Sequence, residues 1–398
     1  MSRQLQDAYI VAATRTPVGK RKGAFAHTRP DDLLAHVLAR VLAQVPQLDP
    51  ARIGDVIVGC AMPEAEQGMN VARIAALLAG LPDSVPGVTV NRFCASGLQA
   101  VADAAARIQL GAAEVMLAAG TESMSCMPQI TGNKLAFNPA VFGSEHLDIA
   151  YGMGLTAEKV AGRWQVARED QDAFAAESHR RAIAAQSSGA FAAEISPYCV
   201  RTRAADAASG VVRLGERWVD SDEGPRADSR IEALARLKPV FAAGGSVTAG
   251  NSSQMSDGAA AVLLVSERVL RAENLTPLAR FVDYTVAGVA PEVMGIGPLV
   301  AIPPLLGRSG VRLDDIDWIE LNEAFAAQAL AVIRELGLDP ARVNPHGGAI
   351  ALGHPLGATG AIRTATLLHG LQRTQGRYGL VSMCVGTGMG AAGLFERL

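Results

Sequence analysis

The chain has 398 residues, 49 % hydrophobic and 19 % charged, with a formal net charge of −3. That length exceeds one small core and predicts two or three domains. The near-neutral charge, without a Lys/Arg block, argues against nucleic acid as a partner.

Five cysteines (Cys60, Cys94, Cys126, Cys199, Cys384) are scattered and lack CxxC spacing, and the seven histidines form no ligand-spaced group. Neither a disulfide framework nor a metal site is expected, and a reducing, cytoplasmic setting fits. The opening MSRQLQDAYIVAATRTP has no long apolar h-region, and the closing Glu396-Arg397-Leu398 is not a peroxisomal Ser-Lys-Leu. No apolar run approaches the ~18 residues of a membrane span.

In chain order, Ala8 to Ala13 reads as a buried strand. Pro30-Asp31-Asp32 opens a helix whose Leu33, Leu34, Val37, Leu38, Val41 and Leu42 recur at helical spacing. Asp55 to Gly59 is a short strand and Asn70 to Gly80 an Ala-rich helix. Val88 to Val90 begins a strand, Cys94 lies in a turn of small residues, and Ala100 to Leu110 is a helix stopped by Gly111. Strand Glu114 to Ala119 follows. This alternation predicts an α/β protein with a mixed, largely parallel sheet and helices on its faces.

From Ser123 to Ala249 the texture changes to Met, Gly and Pro, helical stretches Thr156–Trp164 and Arg168–Ser188, and a polar, poorly periodic run from Arg201 to Gly224. The segment reads as an inserted loop domain rather than a linker, because Trp164, Phe174, Phe191 and Trp218 need burial. The division expected is 1–122 with 250–275 as one half, 123–249 as the insertion, and 276–398 as the other half. The α/β rhythm returns with strand Ala260–Val265 and strand Ala279–Ala287. A Gly/Pro-rich stretch, Met294 to Pro304, precedes strand Trp318–Leu321. A helix to Leu336, a helix Ala361–Leu371 and strand Gly379–Cys384 complete the run. Val90-Asn91 and Val343-Asn344 each precede a small-residue turn, a similar helix, a glycine and a strand, an echo that suggests two related halves.

Gly388-Met389-Gly390-Ala391-Ala392-Gly393 matches GxGxxG, but five residues leave no room for the helix that would receive a pyrophosphate. Three other stretches share an unusual composition: Asn91–Gly97, His346–Gly360 and Cys384–Gly393. Each sets a Cys or His among Gly, Ala and Ser at a strand end or in a loop, where ligands of open α/β sheets bind. Small neighbours let backbone N–H groups reach a reacting oxygen. Cys94 with His354 makes a nucleophile and its base, and Cys384 a second proton-transfer group. A free thiol titrates near ~8.5, and a place near a helix N-terminus is expected to lower that value at Cys94. Any one of these residues alone would read as packing; their joint occurrence argues for a site.

Over its whole length the sequence resembles the thiolase family. Asn91-Arg92-Phe93-Cys94-Ala95-Ser96-Gly97-Leu98-Gln99 is similar to the family's nucleophile segment. Asn322-Glu323-Ala324-Phe325-Ala326, Gly347 to Pro355 and Cys384 to Gly390 match its other active-site blocks, in the same order. The resemblance implies two related α/β halves with mixed sheets sandwiched by helices. It implies cleavage of 3-ketoacyl-CoA by coenzyme A as co-substrate, with no permanently bound cofactor. In that scheme His354 deprotonates Cys94, and Asn322 (through a water) with His354 stabilises the first oxyanion. Cys384 protonates the leaving carbanion, and the N–H groups of Cys94 and Gly386 form a second oxyanion hole. By the same resemblance Ser253 and Ala249 line the pantetheine channel with Phe241 and Met294 nearby, and Arg226 meets a CoA phosphate.

Many biosynthetic members carry His-Met-Gly where this chain has Gly152-Met153-Gly154. The smaller residue enlarges the acyl end beside Met153 and favours the degradative branch, the enzymes of fatty acid β-oxidation. The resemblance also implies a homodimer or homotetramer joined through the insertion, with a β-oxidation complex as a further partner. A short-chain biosynthetic thiolase, a decarboxylating ketoacyl-synthase-like enzyme and a non-catalytic acyl-CoA carrier are the alternatives. Cys384 in the third catalytic place speaks against the second.

Overall fold

The computed structural model describes residues 5–127, 138–205 and 208–398. The first part of the chain forms β1 (Ala8–Arg15), β2 (Gly19–Lys20), α1 (Pro30–Ala43), β3 (Val56–Gly59), α2 (Val71–Leu78), β4 (Gly87–Val90), α3 (Ser96–Gln109) and β5 (Val115–Ser123). Next come α4 (Met153–Arg163), α5 (Arg168–Ser187), a hairpin of β6 (Tyr198–Ala205) and β7 (Val212–Val219), and the short α6 (Ile231–Leu234). The remainder forms β8 (Ser256–Ser266), α7 (Glu267–Ala272), β9 (Ala279–Gly288), α8 (Gly297–Ser309), β10 (Ile316–Leu321), α9 (Ala326–Leu336), α10 (Ala349–Leu352), α11 (Leu356–Thr374), β11 (Tyr378–Val385) and β12 (Met389–Glu396).

Every residue of β8 is buried, and the strand pairs antiparallel with both β1 and β5. The sheet runs β10-β11-β12-β9-β1-β8-β5-β3-β4, with β2 added beside β8. Among the described residues only the strand pairs β3–β4, β3–β5 and β10–β11 are parallel. The expectation of a largely parallel sheet is therefore corrected. β8 enters after the insertion and β12 folds straight back from β11, and both returns are antiparallel. The two halves are not wholly separate sheets, since β1 and β9 pair at Ala8, Tyr9 and Ile10.

Layers follow from side-chain alternation. In β8, Ala259, Ala261, Leu263 and Val265 face Leu33, Leu34 and Leu38 of α1, whereas Val262 and Leu264 face the opposite core. That central core holds Leu98, Val101 and Ile108 of α3 against Leu367, Leu368 and Leu371 of α11. A third core packs Ile302 and Leu305 of α8 and Val332 of α9 on Ile316, Leu380 and Leu394. The order is helices, strands, helices, strands, helices, with α3 and α11 innermost. These two meet almost backbone to backbone. A Cβ on Gly97 would lie 2.6 Å from the Ala361 nitrogen, and one on Gly360 would lie 2.1 Å from the Leu98 nitrogen. Residues 97–98 thus mirror 360–361, the contact that a two-fold relation between halves produces, and both helices begin at the same place.

The insertion is fastened by a buried charge cluster. Arg15 at the end of β1 reaches Glu194 at 2.6 Å and Asp222 at 2.7 Å, and all three are buried. Phe191 is buried and Trp164 and Phe174 are partly so, but Trp218 is 67 % exposed, against expectation. It stands on β7, a ribbon strand with seven of its eight residues exposed. The run from Arg201 that reads as irregular in sequence contains this hairpin, and residues Met389–Gly393 of the GxGxxG match belong to β12. The Met294–Pro304 stretch likewise ends in α8, which holds Pro303 and Pro304 within it.

Candidate active site

β4 ends at Val90, and the chain turns sharply before α3 begins at Ser96. Cys94 lies between, in the single 3-10 turn Phe93–Ala95. The Gly386 N–H faces its sulfur and favours the thiolate. That N–H comes from the opposite half, where β11 gives way to a turn with Thr387 at φ +64° and Gly388 at φ +89°. The approach to a helix N-terminus does not produce the expected low thiol pKa. Burial dominates and pushes the Cys94 thiol up to about 11, against the smaller help of the Gly386 and Cys94 N–H groups.

His354 is 4 % exposed. Its backbone N–H donates to the Gln254 carbonyl at 3.1 Å and to Ser256 Oγ at 3.2 Å, which holds the loop against the start of β8. Its Nδ1 lies 2.6 Å from Thr359 Oγ1, whose hydroxyl donates to the Pro355 carbonyl at 3.0 Å. Assigning the single hydroxyl proton to that bond gives Nδ1 the ring proton, which it donates to Thr359. The lone pair is left on Nε2, where Asn322 Nδ2 approaches to 3.3 Å. Burial, and then the charge of Arg363, push this imidazole down to about 3. The resting base is a neutral imidazole with its accepting nitrogen defined. Asn322 Oδ1 is buried without a partner, in keeping with a bridging water.

Cys384, on β11, is 1 % exposed. Burial raises its pKa, and the neighbouring Cys94 raises it further, so the two sulfurs share one space. Cys384 packs with Met294 and Val247 and with Ala324 and Phe325, which follow Asn322 in the chain. Two sets result, Cys94 with Gly386 and Cys384, and Asn322 with His354 and Thr359, and the Asn322 N–H joins them by donating to the Ser382 carbonyl at 2.9 Å, two residues from Cys384. The site offers two thiols, a neutral imidazole and backbone donors, the kinds of group that acyl transfer uses.

The remaining expected residues fall in two places, around Phe241 and around Ala249. Met294 is buried, and Phe325 stands edge-on to Phe241 with ring centroids 6.1 Å apart. A Cβ on Gly154 would lie 2.1 Å from the Phe241 ring, so only glycine allows that approach. A side chain at Gly386 would meet Met153 Sδ at 3.6 Å, which places Met153 beside the nucleophile. Ser253 donates its N–H to the Ala324 carbonyl at 2.9 Å. Ala249 and Arg226 line a cavity of about 360 Å³ with Lys20, His179 and Gln254. Arg226 is exposed and already paired with Asp228 at 2.8 Å.

Sequence reasoning missed Thr359, whose signal was its place in the first turn of the helix after His354. It also missed Asn91 and Ser96, which hold the turn around Cys94, and Arg363, whose charge acts on His354. Among the described residues no group of three His, Cys, Asp or Glu could hold a metal ion.

The N-terminal domain of the thiolase family matches residues 8–268, and its C-terminal domain matches residues 275–397. A 3-ketoacyl-CoA thiolase of Bacillus subtilis is 49 % identical over 394 residues, covering 98 % of this chain and 100 % of the relative. A beta-ketoadipyl-CoA thiolase of Pseudomonas aeruginosa is 46 % identical, covering 99 % and 100 %. The crystal structure of the Bacillus anthracis acetyl-CoA acetyltransferase superposes with a TM-score of 0.90 at 41 % identity, covering 100 % of both chains. With both domains matched in order and the sulfurs and imidazole gathered at their junction, this chain belongs to the thiolase family.

Proposed function

We propose that the protein is an acetyl-CoA C-acyltransferase that cleaves 3-ketoacyl-CoA with free CoA to give acetyl-CoA and a shortened acyl-CoA. The observation that carries this reading is the Gly386 N–H directed at the Cys94 sulfur with the Cys384 thiol beside it. A single thiol and a base would suffice for simple acyl transfer. Breaking a carbon–carbon bond requires a second proton donor for the carbanion.

In the first half-reaction His354 Nε2 takes the Cys94 proton and the sulfur bonds to the 3-keto carbon. The oxyanion meets His354 and the Asn322-held water. Collapse breaks the C2–C3 bond, and its electron pair accepts the Cys384 proton to form acetyl-CoA. In the second, the Cys384 thiolate removes the proton of free CoA, whose sulfur takes the acyl group. Cys94 leaves as thiolate and regains its proton from His354. The Cys94 and Gly386 N–H groups hold the oxyanion of this step, and each such donor contributes about 2.7–4 kcal/mol.

Gly152 in place of a larger residue leaves room beyond Met153, which supports the degradative direction on chains longer than acetoacetyl. The 41 % identity to an acetyl-CoA acetyltransferase supports the short-chain, condensing alternative. Initial rates of thiolysis across 3-ketoacyl-CoA chain lengths, set against acetyl-CoA condensation, decide between them. Thiolysis that is fastest above four carbons supports the first, and condensation outrunning thiolysis overturns it.

Ala249, Ser253, Phe241 and Met294 take the pantetheine arm in this reading, and Arg226 a CoA phosphate after exchanging Asp228 for it. Self-association to a homodimer or homotetramer is supported by β4. It ends the sheet order and lies near exposed Met69, Leu78 and Val88. No described helix is long and apolar enough to cross a membrane. A cytoplasmic place in fatty acid β-oxidation, with or without a complex, completes the proposal.

A further inference from the structure

The residue before the nucleophile is strained. Phe93 has φ +44°, in the left-handed region that a bulky aromatic residue rarely enters. Both of its backbone polar groups are held by side chains. The Phe93 N–H donates to Asn91 Oδ1 at 2.8 Å, and Asn91 Nδ2 in turn donates to the Ala61 carbonyl at 2.9 Å. The Phe93 carbonyl accepts from Ser96 Oγ at 2.6 Å, while Ser96 Oγ accepts from the Arg92 N–H at 2.9 Å. Ser96 is fully buried at the first position of α3. Its hydroxyl therefore bridges both ends of the turn that presents Cys94, and it touches no reacting atom in the proposed scheme.

We infer that Ser96, assisted by Asn91, is a positioning residue that holds Phe93 in its left-handed conformation and thereby aims the Cys94 sulfur and N–H at the site shared with Gly386. The inference rests on Cys94 being the acyl-accepting thiol. With the hydroxyl lost, the Phe93 carbonyl keeps only the Ser96 N–H and the Phe93 N–H only Asn91, and the turn relaxes toward negative φ at Phe93. That rotation swings the Phe93–Cys94 peptide, which carries the Cys94 N–H, away from Gly386. The sulfur serves both half-reactions and the N–H serves the second, so both slow. The packing around Phe241 and Met294 is untouched.

The test is a double-mutant cycle between Ser96→Ala and Phe93→Gly, read as kcat and KM for thiolysis. Ser96→Ala lowers kcat on the order of 10- to 100-fold with KM for CoA nearly constant, and Ser96→Thr, which keeps the hydroxyl, restores most of it. Glycine enters positive φ without cost, so in the Phe93→Gly background the same Ser96→Ala change costs only about threefold or less. An equal loss in both backgrounds, or an unchanged kcat, overturns the positioning role. Should Ser96→Ala not fold, Asn91→Ala releases Phe93 from its other side and carries the same cycle. Cys94→Ala measured in parallel separates the two readings. Retained turnover there overturns the nucleophile itself. An inactive Cys94→Ala beside an unaffected Ser96→Ala overturns only the positioning of the turn.

Discussion

Thr359 Oγ1 lies 2.6 Å from His354 Nδ1 and gives its own proton to the Pro355 carbonyl. The hydroxyl fixes which imidazole nitrogen is basic, as the partner of a catalytic histidine commonly does. Thr359→Val removes that acceptor and lets the ring proton move to Nε2. Turnover falls about 100-fold with little change in KM, and Thr359→Ser stays near wild type. A valine variant of full activity would mean the tautomer is set elsewhere.

Cys384 is assigned to the carbanion and not to the acyl group, so its removal separates two chemistries. Cys384→Ala keeps acylation of Cys94 by a reactive thioester, while cleavage of 3-ketoacyl-CoA drops by about 10²–10⁴. Stopped-flow release of acetyl-CoA and mass analysis of the enzyme read the two steps independently. Normal cleavage by this variant would refute the assignment.

Burial holds the Cys94 thiol up at about 11 and the His354 imidazole down at about 3, so the resting pair is neutral between those values. Inactivation of the free enzyme by iodoacetamide then rises with pH through about pH 9 without levelling off. A plateau at neutral pH would reveal a preformed thiolate. For stability the sign is fixed by the imidazole. The unfolded ring binds its proton near 6.5 and the folded ring only near 3, so stability is full above that window and is lost as pH falls through it. In urea titrations between about pH 6 and pH 4, wild type loses stability more steeply than His354→Asn.

Arg15 is enclosed with Glu194 and Asp222, and Glu194 also accepts from Thr366 of α11 at 2.9 Å. Removing the cation leaves two buried carboxylates facing each other. Arg15→Met destabilises by about 3–5 kcal/mol, measured by urea unfolding. A loss below about 1 kcal/mol would show that the insertion is fastened by other contacts.

The chemistry of the site was more legible in the sequence than its physics. Cys94, His354 and Cys384 announce themselves because a reactive side chain among glycines is unusual wherever it occurs. The core strands were equally plain, since β8 is buried on both faces and reads as an unbroken apolar run. The hairpin of β6 and β7 was hidden because seven of the eight residues of β7 are exposed, and no alternation marks it. α8 was hidden by Pro303 and Pro304. The burial of Ala301, Ile302 and Leu305 beside them outweighs the lost backbone bonds. The charge state of Cys94 could not be read at all. The helix terminus is local and visible in sequence. Burial against the opposite half, whose Gly386 N–H faces the sulfur, involves residues almost three hundred positions away.

The central claim is that acyl groups pass through the Cys94 sulfur. Enzyme mixed with a 3-ketoacyl-CoA in the absence of free CoA should release one equivalent of acetyl-CoA per active site. It should also gain the mass of the shortened acyl group on the peptide carrying Cys94. Added CoA should then discharge that group as acyl-CoA. Turnover with no adduct, or an adduct on Cys384 or elsewhere with Cys94 unmodified, would contradict the account.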